Sequence, residues 1–199
     1  MSKKMTKGDK TKQHLYQCAI TLFKQKGYDQ VSVDEIVREA GTAKGTFYIY
    51  FESKADVLIY MLSAYDDYYD QIAQQLNPEE SVDLRLKTIV KSSSVFTQDV
   101  IGLDLIQVLY ANQLTGKLKK ELYTNRALYR IVHQLLEEGQ QKGEYLAEED
   151  SIVLTNRLIN WIRGTFFEWC LQAGDFCLET ECVRLTEVFC RGIRNFRWE

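Results

Sequence analysis

The sequence predicts an all-α protein, and three observations carry that expectation. A single proline, Pro78, interrupts 199 residues. Apolar residues recur at the spacing of a helix face almost throughout, and the period-two alternation of a half-buried strand is scarce. The chain is 45% hydrophobic and 27% charged, the balance of a globular protein and not of a disordered one.

From Thr11 to Lys26 the apolar positions Leu15, Cys18, Ala19, Leu22 and Phe23 line one helix face, and Gly27 supplies the stop. Ser32 with Glu35 has capping-box spacing and opens a short helix whose inner face is Val33, Ile36, Val37 and Ala40, ended by Gly41. A second short helix runs from Lys44 to Tyr50. Ser53 caps a long one that starts at Lys54 and reaches about Leu76, where Asn77-Pro78 closes it. Helical patterns then occupy Val82 to Gln98, Leu103 to Leu114 and Leu118 to Lys142, with breaks near Gly102, Gly116 and Gly143. Ser151 to Leu171 and Glu179 to Phe196 complete about nine helices. Neither a repeat nor a low-complexity stretch is visible.

Composition narrows the function classes. No apolar run approaches the roughly 18–20 residues of a bilayer span, and Met1 to Gln13 is polar and lysine-rich with no signal-peptide core, so the expected compartment is the cytoplasm. Cys18, Cys170, Cys177, Cys182 and Cys190 are widely spaced, without a Cys-x-x-Cys pair. With only two histidines in the chain, they read as reduced core thiols and not as a metal site. No cofactor is expected. Residues 1–60 hold ten Lys and Arg against seven Asp and Glu, whereas the remaining residues hold fifteen against twenty-one. That asymmetry suits an N-terminal part that faces nucleic acid, although a surplus of three lies within ordinary scatter.

The informative stretch runs from Val33 to Phe51 and reads as a helix-turn-helix. Two short helices crossing at a large angle need a small residue at the crossing, a glycine that accepts positive φ in the turn, and apolar inner faces. Ala40, Gly41, Ile36, Val37, Phe47 and Phe51 supply them. Phe47 and Phe51 take the inner face, so Tyr48 and Tyr50 cannot share it. Outward-facing Lys44, Thr46, Tyr48, Ile49 and Tyr50 offer donors to phosphates and base edges and an apolar contact for a thymine methyl, while Gly45 allows a close backbone approach. Lys54, at the start of the next helix, adds a cation beside free backbone N–H groups.

Gly27-Tyr28, Val31-Ser32-Val33, Ile36-Val37, Ala40-Gly41, Lys44-Gly45-Thr46-Phe47-Tyr48, Tyr50-Phe51, Ser53-Lys54 and Leu58 together resemble the tetracycline-repressor (TetR) family of bacterial transcription regulators, over about residues 10–60. The resemblance implies a helix-turn-helix DNA-binding domain over residues 1–53 and a ligand-binding and dimerisation domain over 54–199. It implies a homodimer on a palindromic operator in double-stranded DNA, released when a small effector enters the second domain. Carried over, Ser32, Thr46, Tyr48, Tyr50 and Lys54 would hold phosphates and Lys44 would reach bases. The chain departs from the family pattern at Thr42, where an aliphatic residue is usual, and at Ala43, where a serine caps the recognition helix. Either Thr42 takes over the capping, or a backbone donor is left to phosphate or water. The expected DNA-facing set is therefore Ser32, Thr42, Lys44, Gly45, Thr46, Tyr48, Ile49, Tyr50 and Lys54.

Behind this head, no motif names a ligand. Aromatic residues suited to an apolar pocket include Tyr65, Tyr69, Phe96, Tyr129 and Trp161, with His133 and Arg163 as candidate polar groups, and ordinary core packing is the competing account for each. Arg163 lies in an apolar run and needs an acidic partner, from the protein or from a ligand. Gly164 costs its helix about 1 kcal/mol relative to alanine, which close helix approach would explain. By the resemblance, Phe166, Trp169, Val188 and Phe189 are candidates for the dimer interface. A DNA-bound architectural or cell-division protein governed by a protein partner is the alternative reading. An enzyme is not expected, because no nucleophile, base or metal set with working spacing is present.

Overall fold

The structure is a computed structural model that describes residues 6–115 and 126–195. Among these residues there are nine α-helices and no strand: α1 (Lys7–Lys26), α2 (Val33–Glu39), α3 (Lys44–Tyr50), α4 (Lys54–Gln75), α5 (Val82–Val95), α6 (Leu103–Leu114), α7 (Ala127–Gln141), α8 (Ser151–Leu171) and α9 (Leu178–Asn195). Positions 116–125 and 196–199, which include Gly116, the start of the helix expected from Leu118, and Phe196, lie outside the described residues.

The chain divides into two compact units. The first comprises residues 1–64 and 104–119, and its described part contains α1, α2, α3, the first turns of α4, and α6. Leu15, Ala19, Leu22 and Phe23 of α1 are buried together with Ile36 and Val37 of α2, Phe47 of α3, and Val57, Leu58 and Met61 of α4. Helix α1 begins four residues earlier than the apolar pattern predicts. Thr6 and Asp9 form a reciprocal capping box there, and a polar first turn carries no apolar periodicity to betray it.

The second unit comprises residues 65–103 and 120–199, and its described part contains the rest of α4, α5, α7, α8 and α9. Leu86, Ile89 and Val90 of α5, Val132 and Leu136 of α7, Leu158 of α8 and Cys190 of α9 are fully buried. Helix α5 does not continue to Gln98 as a regular helix. It passes at Phe96 into a π-helical turn, Phe96–Ile101, that ends at Gly102 with φ 89°. The extra residue per turn brings the Thr97 hydroxyl, wholly buried, to 3.0 Å from the Tyr65 hydroxyl. Two buried hydroxyl pairs therefore fasten α4 to its neighbour in this unit, Tyr65 to the π-helical turn and Tyr69 to α5 through Ser93 at 2.7 Å.

The cysteines are all free. Cys170, Cys182 and Cys190 are core thiols, and burial pushes them up to about 11, 11 and 12. Cys177 corrects the expectation of five core thiols. It is exposed just ahead of α9, where the Thr180 hydroxyl donates to its sulfur and lowers its pKa.

Candidate nucleic-acid interface

Two local devices build the turn between α2 and α3. The Gly41 N–H donates to the Arg38 carbonyl and the Thr42 N–H to the Val37 carbonyl, a reciprocal C-terminal cap that needs φ of 60° at Gly41. At the other end of α2 the Ser32 hydroxyl accepts the Glu35 N–H. The Glu35 side chain does not return to Ser32 to complete a capping box. It pairs with Lys26 of α1, and this contact holds its carboxyl below the usual range.

Ala43 stands at the N-cap of α3 and offers no side-chain cap. Of the two possibilities left open by the sequence, Thr42 does not take over: its hydroxyl is buried and has no hydrogen-bond partner among the described residues. Phe47 and Phe51 point inward, 0% and 2% exposed, with their rings 5.4 Å apart. That anchoring leaves the opposite side of α3 to solvent. Ile49 is 75% exposed and Tyr48 50% exposed, and Lys44 and Gly45 are exposed beside them. Thr46 and Tyr50 are half-buried. A Cβ at Gly45 would meet no described atom within 4 Å.

Lys44 is engaged in the free protein. Its Nζ lies 2.8 Å from a carboxylate oxygen of Asp34 in α2, and this partner raises its pKa. Lys54 is engaged differently, with the carbonyl oxygens of Tyr28 and Val31 at 2.6 and 2.9 Å. Ser32 is exposed at the N-terminus of α2.

Residues 15–61 match the family described as bacterial regulatory proteins, tetR family. This segment is a tetR-family N-terminal domain. The likeness to regulators extends over nearly the whole chain. The fatty acid metabolism regulator protein of Bacillus subtilis is 22% identical over 179 residues, covering 89% of this chain and 92% of its own length. Among solved structures, the fatty acid degradation regulator FadR from Bacillus halodurans superposes with a TM-score of 0.73 at 23% identity, covering 96% of this chain and 99% of that one. Thermus thermophilus FadR, described as a TetR-family transcriptional repressor in complex with lauroyl-CoA, gives 0.77 at 15% identity, covering 94% and 97%. At these identities the structural likeness speaks for the fold, and the tetR-family head is where it reaches individual residues.

The residues expected to form a pocket are dispersed through the second unit. Tyr65, Tyr69 and Phe96 come together, with Tyr65 and Phe96 edge-on at 4.9 Å and Tyr68 stacked on Phe96 at 4.4 Å. Tyr129 and Arg163 are half-buried, and His133 Nε2 lies 3.1 Å from the Ser151 hydroxyl. Trp161 stands apart from that cluster. It is 44% exposed on α8 with its ring edge-on to Phe189 of α9. The sequence reading missed Ser93 and Thr97, because a serine and a threonine on a helix carry no signal until the residues opposite them are known.

Of the expected interface residues, Phe166, Trp169 and Phe189 are 8%, 4% and 5% exposed within the chain's own core, so their burial needs no second copy. The Trp169 indole N–H even finds an acceptor inside, the Phe176 carbonyl at 3.1 Å. Val188 differs, being 59% exposed on α9. With Trp161, Gly164, Glu168 and Leu185 it lines an open groove between α8 and α9.

Proposed function

We propose that this protein is a ligand-responsive transcription repressor that binds a palindromic operator as a homodimer and leaves it when a small, largely apolar effector binds the helical unit behind the head. The observation that carries the reading is the outer face of α3. A seven-residue helix whose inner face is fully committed to the core presents Ile49, Tyr48, Lys44 and an unobstructed Gly45 to solvent. An exposed isoleucine on this face can touch a thymine methyl in the major groove. Tyr48 offers a donor to the neighbouring phosphate, and Lys44 has to exchange Asp34 for DNA on binding.

Support for the homodimer comes from the groove between α8 and α9. Gly164 weakens α8, and a Cβ there would meet no described atom within 4 Å. A second copy seated on Trp161, Leu185 and Val188 supplies the close neighbour that this glycine lacks within its own chain. A dimeric helix-turn-helix protein reads half-sites about 34 Å apart, one turn of the duplex, or a multiple of that.

Within that reading the effector is proposed to be a fatty acyl-CoA, whose acyl chain is the apolar part that the helical unit would take. Thermus thermophilus FadR, alike in fold over nearly all its length, is described in complex with lauroyl-CoA, and the Bacillus subtilis relative is named for fatty acid metabolism. In this chain we place the acyl chain against the Tyr65, Tyr68 and Phe96 rings, an aromatic cluster whose neighbouring hydroxyls, Thr97 and Ser93, are bonded to Tyr65 and Tyr69.

The test is fluorescence anisotropy on DNA flanking the gene, at two salt concentrations, with Tyr48→Ala and Lys44→Ala. Saturable, palindrome-dependent binding that both substitutions weaken, and that long-chain acyl-CoA but not free CoA reverses, is the expected result. Weak, sequence-blind binding unaltered by either substitution would overturn the assignment of α3.

A further inference from the structure

The N-terminal unit holds one cation in an unusual way. Lys54 opens α4, yet its ammonium reaches back to the link between α1 and α2. It donates to the Tyr28 carbonyl at 2.6 Å and the Val31 carbonyl at 2.9 Å, and lies 4.1 Å from the centroid of the Tyr28 ring. An ammonium has three N–H donors, so two are already committed to protein carbonyls while the charge rests on an aromatic face. Burial lowers its pKa from the ordinary lysine value, as expected for a cation drawn out of water.

The two carbonyls are informative. Tyr28 and Val31 bracket the turn that ends α1 and starts α2, and the turn's own bond, from the Val31 N–H to the Tyr28 carbonyl, is long at 3.4 Å. The two bonds from Lys54 are the shorter ones. Val31 is 2% exposed and immediately precedes Ser32, the N-cap of α2, and the Tyr28 ring packs edge-on against Phe23 of α1 at 5.0 Å. One side chain therefore ties the first turn of α4 to the end of α1 and the start of α2. Because α2 carries α3 through the Gly41 turn, whatever fixes the start of α2 fixes where Ile49 and Tyr48 stand.

We propose that Lys54 is a positioning residue for DNA binding: it sets α2 and α3 against α4 by clamping the Tyr28–Val31 turn, and does not serve as a ligand of an operator phosphate. The proposal rests on the DNA-binding reading above and assigns Lys54 a role different from the phosphate contact that the family resemblance implies.

Two measurements on the full-length protein separate the roles. Lys54→Met keeps the apolar stem and removes all donors. Lys54→Arg keeps the charge and can donate to both carbonyls. In the DNA-free protein, amide hydrogen exchange across residues 28–33 is expected to accelerate on the order of tenfold in Lys54→Met and to return to the original rate in Lys54→Arg. On operator DNA, Lys54→Met is expected to bind on the order of tenfold more weakly at every salt concentration, with an unchanged slope of log affinity against log salt. A ligand of one phosphate would instead lower that slope by about 0.9. Such a fall in slope with unaltered exchange overturns the proposal, and so does faster exchange with full operator affinity. Should Lys54→Met fail to fold, Lys54→Gln, with one N–H donor group and no charge, is read on the same two scales with intermediate losses expected. Absence of saturable binding by the unsubstituted protein overturns the DNA-binding reading itself, whereas intact binding by Lys54→Met overturns the clamp alone.

Discussion

The ion pair between Arg85 of α5 and Glu138 of α7 should dominate the acid sensitivity of the second unit. Arg85 is 6% exposed and Glu138 32% exposed, and the pair is bidentate, with Nη1 donating at 3.0 Å and Nη2 at 2.5 Å. The Arg85 Nε is buried without a partner among the described residues, so this fork depends on Glu138. Arg85 and then Lys142 hold the Glu138 carboxyl down from 4.5 to about 2. At about 1.4 kcal/mol per tenfold change in acidity, that gap sets an upper figure of ~3 kcal/mol, and solvent screening of a carboxylate one-third exposed reduces it to ~2 kcal/mol. Breaking a fully buried pair costs about 3–5 kcal/mol, and the exposure of Glu138 moves this case towards the lower end, so the two routes meet at ~2–3 kcal/mol. Glu138→Ala should therefore lower Tm by roughly 5–10 °C at neutral pH, at about 2–4 °C per kcal/mol for a chain of this size. The sign with pH follows from the depressed folded-state pKa. The stabilisation is complete above the ordinary carboxylate value of 4.5 and is lost as pH falls towards about 2. Melting curves by circular dichroism from pH 7 down to about pH 2.5, across the window between the two pKa values, read both quantities. A difference under about 2 °C at pH 7, or one that grows as the pH falls, would refute the reasoning.

Four further outcomes follow from the geometry. Gly45→Ala should raise Tm slightly, since alanine gains up to about 1 kcal/mol in a helix interior and meets no described atom, yet weaken operator binding severalfold if DNA backbone comes close there. Asp34→Asn releases Lys44 and removes an exposed carboxylate from the α2–α3 surface, so anisotropy should show tighter operator binding, most visibly at low salt. Gly139→Ala places a methyl 2.4 Å from the buried Tyr145 ring and should cost about 1–3 kcal/mol by chemical denaturation, with no rescue by repacking while Tyr145 stays bonded to Asp83. Gly164→Ala should leave the fold of each copy intact and shift sedimentation equilibrium towards monomer; an unchanged dimer constant would remove the groove between α8 and α9 from the interface.

What could be read in advance followed the strength of the periodic signal. The helix-turn-helix was legible because its constraints are local: Gly41 must take positive φ, Ala40 must be small, and Phe47 and Phe51 fill one face. The start of α1 at Lys7 was missed because Thr6 and Asp9 precede Leu15, the first residue of the apolar helix pattern. The π-helical turn at Phe96 was invisible for another reason. Its one-residue offset is stabilised by Thr97 meeting Tyr65, a partner 32 positions away that no window of local sequence contains. Glu35 shows the same limit at smaller scale. Its spacing from Ser32 is right for a capping box, but Lys26 of the preceding helix competes for the carboxylate and takes it. The candidate pocket was the least legible part, because an aromatic residue on a buried helix face reads alike whether it fills a core or lines a cavity.

The surface carries two places where the chain forgoes stability of its own. On α3, Gly45 weakens a helix of only seven residues while Ile49, one turn along, stands 75% exposed. On α8 and α9, Gly164 and Gly192 weaken long helices with no described atom within 4 Å of their Cβ positions, and Val188, one turn before Gly192, is 59% exposed. Taken alone, each exposed apolar residue is unremarkable, since much of any protein surface is apolar. The pairing is the stronger observation. A helix glycine with nothing near it costs about 1 kcal/mol for no gain inside the chain, and at both places an exposed apolar side chain lies one turn away. The two faces differ in what surrounds them. Lys44 and Tyr48 flank Gly45, so that face suits a polyanion with apolar edges, whereas Trp161 and Leu185 flank Gly164 and suit a second apolar helix pair. A repressor that reads DNA as a dimer needs one surface of each kind.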